Sequence, residues 1–177
     1  KILASESFAS PDAWTPDGRR LVYAQTSPQG RNSLWVLSLG GDPGPRPVGQ
    51  EHASEWGSDL SPDGGFIVTW RSEDANGEVR VSTEGGFAPR WRRDGRELFY
   101  VDDNRRLMAV PVLSLAPPTF GPPAALFSAR LEEASDRQYD VFPDGRRFLL
   151  NRSLAEEREP IAVVLGWTAR LAREGRP

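Results

Sequence analysis

The sequence predicts an all-β protein made of successive sheets of antiparallel strands. Three observations predict this class: one turn sequence occurs four times, apolar runs flank each copy, and the 177 residues include 17 glycines and 16 prolines. Glycine and proline at this frequency indicate many short elements joined by sharp turns. Helical periodicity is expected only near the end of the chain, over residues 168–174.

The repeated turn is Pro-Asp-Gly, with arginine in place of proline in its third copy. Proline presets φ at about −65° for the first corner, aspartate can accept a hydrogen bond from its own backbone, and glycine tolerates the positive φ that follows. We therefore predict structural turns whose aspartates bind no ligand. The turn residues are Pro16, Asp17, Gly18, Pro62, Asp63, Gly64, Asp94, Gly95, Pro143, Asp144 and Gly145.

Apolar residues on both sides of each turn predict the strands. A large apolar residue stands four positions before each turn glycine, and an apolar pair begins three positions after it, which is the pattern of a hairpin. Further apolar runs predict third strands at 34–37, 79–81, 107–110 and 161–164, and outer fourth strands at 46–48 and 125–127. Within these patterns, Trp14, Trp35 and Trp91 are expected in the core.

The turn glycines are separated by 46, 31 and 50 residues (64 − 18, 95 − 64 and 145 − 95). The mean spacing of about 42 matches the period of a four-stranded propeller blade. We predict one domain over 1–177 with blade units at 11–50, 55–86, 87–131 and 138–177, and with 1–10 as the outer strand of a preceding or closing blade. Four units predict β-propeller blades in a partial ring or a small propeller.

The repeated turn, with tryptophan before it and Leu-Val-Tyr or Leu-Phe-Tyr after it, resembles the WD40-like PD40 repeat of TolB-type β-propellers. Residues 91–100 (WRRDGRELFY) and 107–112 (LMAVPV) are similar to the C-terminal propeller of bacterial membrane-anchored serine/threonine protein kinases. The resemblance implies a non-catalytic module for interaction or ligand sensing, attached to a kinase elsewhere in the parent protein, and it favours an extracytoplasmic location. The chain departs from these relatives in its short second unit and in holding at most four blades.

The sequence predicts no active site, no metal site and no cofactor. A Ser-His-Asp arrangement needs a histidine base, the one histidine is His52 in a polar stretch, and the hydrolase and kinase motifs are missing. With no cysteine, a zinc site is not expected. Residues 74–78 and 102–104 are interpreted as turns rather than as cation sites. We therefore expect this chain not to be an enzyme.

One stretch contains candidate partner-binding residues. Trp56 lies between Glu55 and Asp59, where the inner strand of the second unit begins, and in a propeller this end faces the central channel. Aromatic anchors carry much of the energy of interfaces, so Trp56 is a candidate contact for the expected protein or peptide partner, whereas packing against a neighbouring blade is the favoured interpretation of this residue. Arg90 is the fourth candidate, and a charge-compensated, solvated edge is the alternative for its arginine-rich segment.

Charge and chain ends set the remaining expectations. The formal charge of −3, with acidic and basic residues interspersed, argues against nucleic acid as the main partner, and the apolar runs are too short to cross a bilayer. Because the chain starts at Lys1 and not at an initiator methionine, we expect a mature product or an excerpt of a longer protein. Two alternative functions stay open: the gating propeller of a prolyl-oligopeptidase-like hydrolase, and a free TolB-like periplasmic scaffold.

Overall fold

A computed structural model of the chain describes residues 8–40, 44–48, 55–71, 79–82, 84–129, 131 and 138–151. In these residues every regular element is a β-strand, all strand pairs are antiparallel and no helix occurs, which confirms the all-β prediction. The strands form four sheets that follow one another along the chain. The strands and turns predicted at 1–7, 74–78 and 161–164, and the helical segment 168–174, lie outside the described residues.

The first sheet is a four-stranded meander. Its strands, in spatial as in chain order, are β1 (Ala9–Trp14), β2 (Arg20–Thr26), β3 (Asn32–Ser38) and β4 (Arg46–Val48). Successive side chains of a strand point to opposite faces of its sheet. Because Val22 and Tyr23 are both at most 2% exposed, β2 is covered on both faces.

The remaining sheets are less regular. The second consists of β5 (Glu55–Leu60) and β6 (Ile67–Arg71); the third of β7 (Phe87–Trp91), β8 (Glu97–Val101), β9 (Arg106–Leu115), β10 (Pro118–Phe120) and β11 (Ala124–Ser128); the fourth of β12 (Tyr139–Val141) and β13 (Phe148–Leu150). The ten-residue β9 pairs with β11 along its first half and with β10 along its second half.

The third strand predicted at 79–81 is wrong, because the described residues 79–82 are not part of a strand. Val81 instead packs against the apolar cluster of the third sheet. Its apolar character therefore reflects burial between sheets and not pairing with β6.

The hydrophobic core is centred on the third sheet, which is buried on both faces. One face of β8 carries Phe99 and Val101, which pack with Tyr139 and Phe148 of the fourth sheet. The opposite face carries Leu98 and Tyr100, and these lie in a second cluster with residues of the second sheet. The ring centroids of Phe99 and Phe148 are 5.2 Å apart at an interplanar angle of 80°, an edge-to-face contact that joins the third and fourth sheets.

The three tryptophans expected in the core differ in their burial. Trp91 is 8% exposed and Trp35 is half-buried, whereas Trp14 is 50% exposed, so the prediction for Trp14 is wrong. Trp14 and Trp91 occupy equivalent positions before their turns. The difference lies in their surroundings, because Trp14 ends the first strand of the first described sheet, whereas Trp91 lies in the central third sheet.

The four repeated turns share one geometry. In each, the glycine N–H donates to the carbonyl three residues earlier at 2.8–2.9 Å, and the aspartate Oδ1 accepts from the backbone N–H two residues later at 2.9–3.1 Å. The glycines require a left-handed backbone, which L side chains rarely adopt. Their φ angles are +67° for Gly18, +72° for Gly64, +73° for Gly95 and +66° for Gly145.

Neighbouring turns also contact one another in chain order. A β-carbon built on Gly64 would lie 3.0 Å from Cδ of Pro16, and one built on Gly145 would lie 2.7 Å from Cδ of Arg92. Gly95 approaches Pro62 in the same way, at 3.7 Å. The four turns therefore form one row along an edge of the molecule.

Acid should destabilise the fold through its hydrogen-bonded carboxylates, of which Asp102 is the most buried. Asp102 is 5% exposed and accepts hydrogen bonds from the backbone N–H of Arg106 at 2.7 Å and from its Nε at 2.8 Å. Burial alone would raise the pKa of Asp102, but the bonds from Arg106 outweigh burial and lower it. A lowered pKa in the folded protein means that this stability is present above about pH 4 and is lost as the pH falls further.

We therefore predict that the melting temperature falls below about pH 4, and that it falls less steeply in Asp102→Asn. The control is Asp103→Asn, because that side chain is exposed in the same turn. Thermal unfolding between pH 2.5 and 7 measures both. An equally steep acid dependence in Asp102→Asn and in the unmodified chain would contradict this assignment.

Candidate functional site

The first strands of the four sheets lie beside one another in chain order. β1 contacts β5, β5 contacts β7, and β7 contacts β12. Each of these strands is the terminal strand of its own sheet. Such an edge carries backbone N–H and C=O groups that its own sheet does not pair. Because these strands lie side by side, the edge of each sheet after the first is covered by the first strand of the preceding sheet.

A row of polar side chains lies along these four first strands, and we call this row the polar seam. It comprises Asp12, Ser58, Asp59, Arg90, Tyr139 and Asp140. Asp12 Oδ2 accepts from the backbone N–H of Ser58 at 3.1 Å and from its hydroxyl at 2.6 Å. Asp59 Oδ2 accepts from the backbone N–H of Trp91 at 2.7 Å. Each of these two carboxylates therefore accepts a hydrogen bond from a backbone N–H in the first strand of the next sheet.

Irregular backbone lies at or just before the polar residues on three of the four strands. The register shifts between Pro11 and Ala13 in β1, between Trp56 and Ser58 in β5, and between Phe87 and Arg90 in β7. A bulge bends its strand and redirects the side chains around it. In β7 the shift includes Ala88, whose φ of +52° lies in the region that residues with a β-carbon disfavour.

Arg90 is the most unusual member of the seam. It is 8% exposed, and its Nη1 donates to the adjacent carbonyl of Pro89 at 2.7 Å. Among the residues that the structure describes, Arg90 forms no ion pair and no further hydrogen bond. A guanidinium has five N–H donors and stays protonated. Arg90 therefore keeps guanidinium donors that the described residues do not use.

Tyr139 lies on the neighbouring first strand and is 3% exposed. Its ring packs in the cluster of Phe99, and its hydroxyl has no hydrogen-bond partner within the described part of the chain. Burial raises the pKa of Tyr139 far above its ordinary value; the charge of Arg90 counteracts this, whereas the charge of Asp59 adds to it. The hydroxyl therefore lies within the electrostatic field of both charged side chains.

The structure brings two of the four predicted partner-binding residues together, since Asp59 and Arg90 lie on adjacent strands. Glu55 and Trp56 lie in β5, but their side chains are outside the described residues. Sequence analysis missed Asp12, Ser58, Tyr139 and Asp140. A signal for one of them exists, because Asp59, Arg90 and Asp140 all stand five positions before a turn glycine.

The seam combines hydrogen-bond acceptors with hydrogen-bond donors. In the described residues no group of three or more histidine, cysteine, aspartate or glutamate side chains could hold a metal ion. Nor does that part of the chain contain a helix with the length and apolar character needed to cross a membrane. The seam offers carboxylate acceptors on β1, β5 and β12 and strong donors on β7 and β12.

The contribution of the inter-sheet bonds can be isolated by two matched substitutions. Asp59 and Asp140 each accept from the next backbone N–H through Oδ1, but Asp59 also accepts from the first strand of the next sheet. We predict that Asp59→Ala lowers the free energy of unfolding by about 1–3 kcal/mol more than Asp140→Ala, because a partly buried N–H loses its acceptor. Denaturant unfolding measures the difference, and equal values for the two variants would contradict it.

No protein-family model and no curated protein matches the chain. Among solved structures, the chain is similar to a "putative 6-phosphogluconolactonase" from Bacteroides uniformis, with 16% sequence identity and a TM-score of 0.50. The match covers 81% of this chain and 47% of that protein, so the chain spans about half the length of the structure it matches. At this identity the likeness shows the fold alone.

These findings correct two predictions. The predicted membership of the PD40 and TolB-type group, and of the kinase propellers within it, is wrong, because no family model matches and the similar structure bears the name of a lactonase. The Pro-Asp-Gly turn follows from hairpin geometry, which unrelated antiparallel sheets can share. The prediction that the chain is not an enzyme is also corrected, because a protein of similar fold is named as one.

Proposed function

We propose that the chain is a binding module for a protein or peptide partner, in which consecutive sheets are arranged like propeller blades around their first strands. The contacts of β1 with β5, β5 with β7 and β7 with β12 support this arrangement. The row of turns along one edge, each against the turn before it, supports it as well. The polar seam is the proposed contact region.

The observation that carries the proposal is the irregular backbone beside the seam. Bulges next to Asp12, Ser58 and Arg90 interrupt three first strands, and Ala88 adopts a positive φ. Strained residues of this kind persist when the surrounding structure holds them, and they concentrate at ligand-binding and active sites. A purely structural edge would be served equally well by regular strands.

The chemistry of the seam fits a polypeptide partner. Its carboxylates can accept from backbone N–H groups or basic side chains, and its arginine and tyrosine can donate to carbonyl or carboxylate oxygens. Both kinds of group alternate along an extended peptide. Arginine and tyrosine are also among the residues that contribute most to interface energies.

Selection of peptides against the full chain, followed by affinity measurements on variants, tests this function. We expect selected peptides to bind Arg90→Met and Asp59→Asn at least about tenfold more weakly than the unmodified chain, the effect of losing about 1.4 kcal/mol of binding free energy. The matched control is Arg146→Met, which removes the same charge from an exposed site on the fourth turn. Peptides that bind all four chains equally would overturn the proposal.

A hydrolase acting on an anionic substrate is the second candidate. The name of the Bacteroides protein suggests it, and a buried arginine without a described ion pair suits a phosphate or carboxylate on a substrate. Hydrolysis of 6-phosphogluconolactone by the full chain is the direct assay. A rate above that in buffer which is lost in Arg90→Met would replace the binding module by this candidate.

A further inference from the structure

We propose that Arg90 and Tyr139 form a subsite for a single carboxylate group of the ligand, an inference that rests on the proposed binding function of the polar seam. The two residues lie on neighbouring first strands, β7 and β12. Both present hydrogen-bond donors, and both are less than a tenth exposed.

The donors of this subsite lack acceptors in the described part of the chain. Arg90 has its one hydrogen bond to Pro89, and the Tyr139 hydroxyl has none. A buried polar group without a partner, such as the Tyr139 hydroxyl, is unfavourable. An oxyanion would engage both side chains, since a guanidinium matches the two oxygens of a carboxylate and a phenol can donate to one of them.

Asp59 is near but is engaged by the backbone. Its Oδ1 accepts from the N–H of Leu60 at 3.0 Å and its Oδ2 from the N–H of Trp91 at 2.7 Å. These bonds hold the carboxylate to β5 and to the edge of β7. Neither of these bonds uses a donor of Arg90, so the remaining guanidinium donors are left to a ligand.

The surrounding charges favour a carboxylate over a phosphate. The negative charges of Asp59 and Asp140 act on the Tyr139 hydroxyl together with the positive charge of Arg90. The two carboxylates repel an added anion in proportion to its charge. Phosphate carries close to two negative charges at neutral pH and would be repelled more strongly.

Backbone and packing contacts order the two side chains of the subsite. Arg90 follows the bulge in β7 and its Nη1 is held by the carbonyl of Pro89, and the Tyr139 ring packs with Phe99 in the core between the third and fourth sheets. Side chains that are already ordered lose little conformational freedom when a ligand binds. We therefore expect even a small carboxylate to bind measurably.

Calorimetric titration of the full chain with sodium acetate tests the subsite, with sodium chloride at equal ionic strength as the blank. We expect saturable acetate binding that is lost in Arg90→Met, about tenfold weaker in Tyr139→Phe, which removes one hydrogen bond to a charged group, and unchanged in Arg146→Met. Arg90→Lys keeps the charge without the paired donors and should bind about tenfold more weakly. Circular dichroism confirms that each variant is folded.

Acetate binding that is absent from the unmodified chain, or that is equal in Arg90→Met, would overturn the subsite, as would tighter binding of inorganic phosphate than of acetate. Variants of the selected peptides identify the source of the carboxylate. If it is the C-terminus of the peptide, amidation of that terminus should abolish the effect of Arg90→Met. If it is a side chain, Asp→Asn or Glu→Gln changes in the peptide should do so. Peptides that bind the seam while acetate does not would overturn the subsite alone. Acetate binding without any peptide binding would overturn the proposed function alone.

Discussion

Replacing Phe99 by alanine is expected to lower the free energy of unfolding by about 3–5 kcal/mol, the usual effect of truncating a fully buried aromatic side chain. Phe99 is 1% exposed at the centre of β8 and packs with Val101 and Tyr139. Its edge-to-face contact with Phe148, at 5.2 Å, crosses from the third sheet to the fourth. The substitution therefore removes contacts within the central sheet and between two sheets.

Phe8→Ala is the matched control, because the same side chain is lost at a position that is 71% exposed. We expect this variant to differ from the unmodified chain by less than about 0.5 kcal/mol. Equilibrium unfolding in urea, with a common slope for all three chains, measures both changes. Similar losses in the two variants would mean that the third and fourth sheets do not share a core.

Gly145→Ala is expected to cost clearly more stability than Gly18→Ala. Both glycines have nearly the same φ, +66° and +67°, so both substitutions bear the left-handed strain of about 1–2 kcal/mol. They differ in their surroundings, because the new β-carbon meets Cδ of Arg92 at 2.7 Å in one case and nothing within 4 Å in the other. We expect about 1 kcal/mol or more of additional loss at Gly145.

Arg92 has limited freedom to move away from this contact. Its Nη1 lies 2.7 Å from Oε2 of Glu97, and its Nε lies 3.2 Å from Oδ1 of Asp94. The comparison is therefore a test of the contact between the third and fourth turns. In an Arg92→Ala background the difference between the two glycine variants should disappear, and its persistence there would assign the loss to the backbone of the fourth turn.

Local chemistry explains why the fold class could be predicted. A Pro-Asp-Gly turn carries its own φ preferences and its own carboxylate acceptor, so that sequence alone indicates where a hairpin bends. The strands β2 and β8 follow directly from the apolar residues after these turns. Pairing between neighbouring strands depends on short segments of the chain, which a single sequence contains.

Contacts between sheets are less visible in the sequence. Trp14 and Trp91 have equivalent sequence positions, yet Trp91 is buried and Trp14 is exposed. Val81 has the apolar character of a strand residue but packs between sheets. The predicted family was wrong for a related reason. A Pro-Asp-Gly turn fits the geometry of a hairpin in unrelated proteins and does not identify one family.

Two of the six residues of the polar seam were predicted from the sequence. Asp59 and Arg90 stand at the same offset from their turn glycines, which allows them to be predicted as neighbours. Asp12 stands six positions before its turn glycine, at the register shift in β1, and a bulge has no reliable sequence signature. The burial of Tyr139 depends on the packing of the fourth sheet against the third, which only the tertiary structure reveals.

Amide hydrogen exchange at Trp91 tests most directly the central claim that the first strands lie side by side and form the polar seam. The Trp91 N–H is bound by Asp59 of the preceding sheet at 2.7 Å. We predict that this amide is protected in the unmodified chain and in Asp140→Ala, and that Asp59→Ala exchanges it at least about tenfold faster. A Trp91 amide that exchanges as fast in the unmodified chain as in Asp59→Ala would contradict the claim.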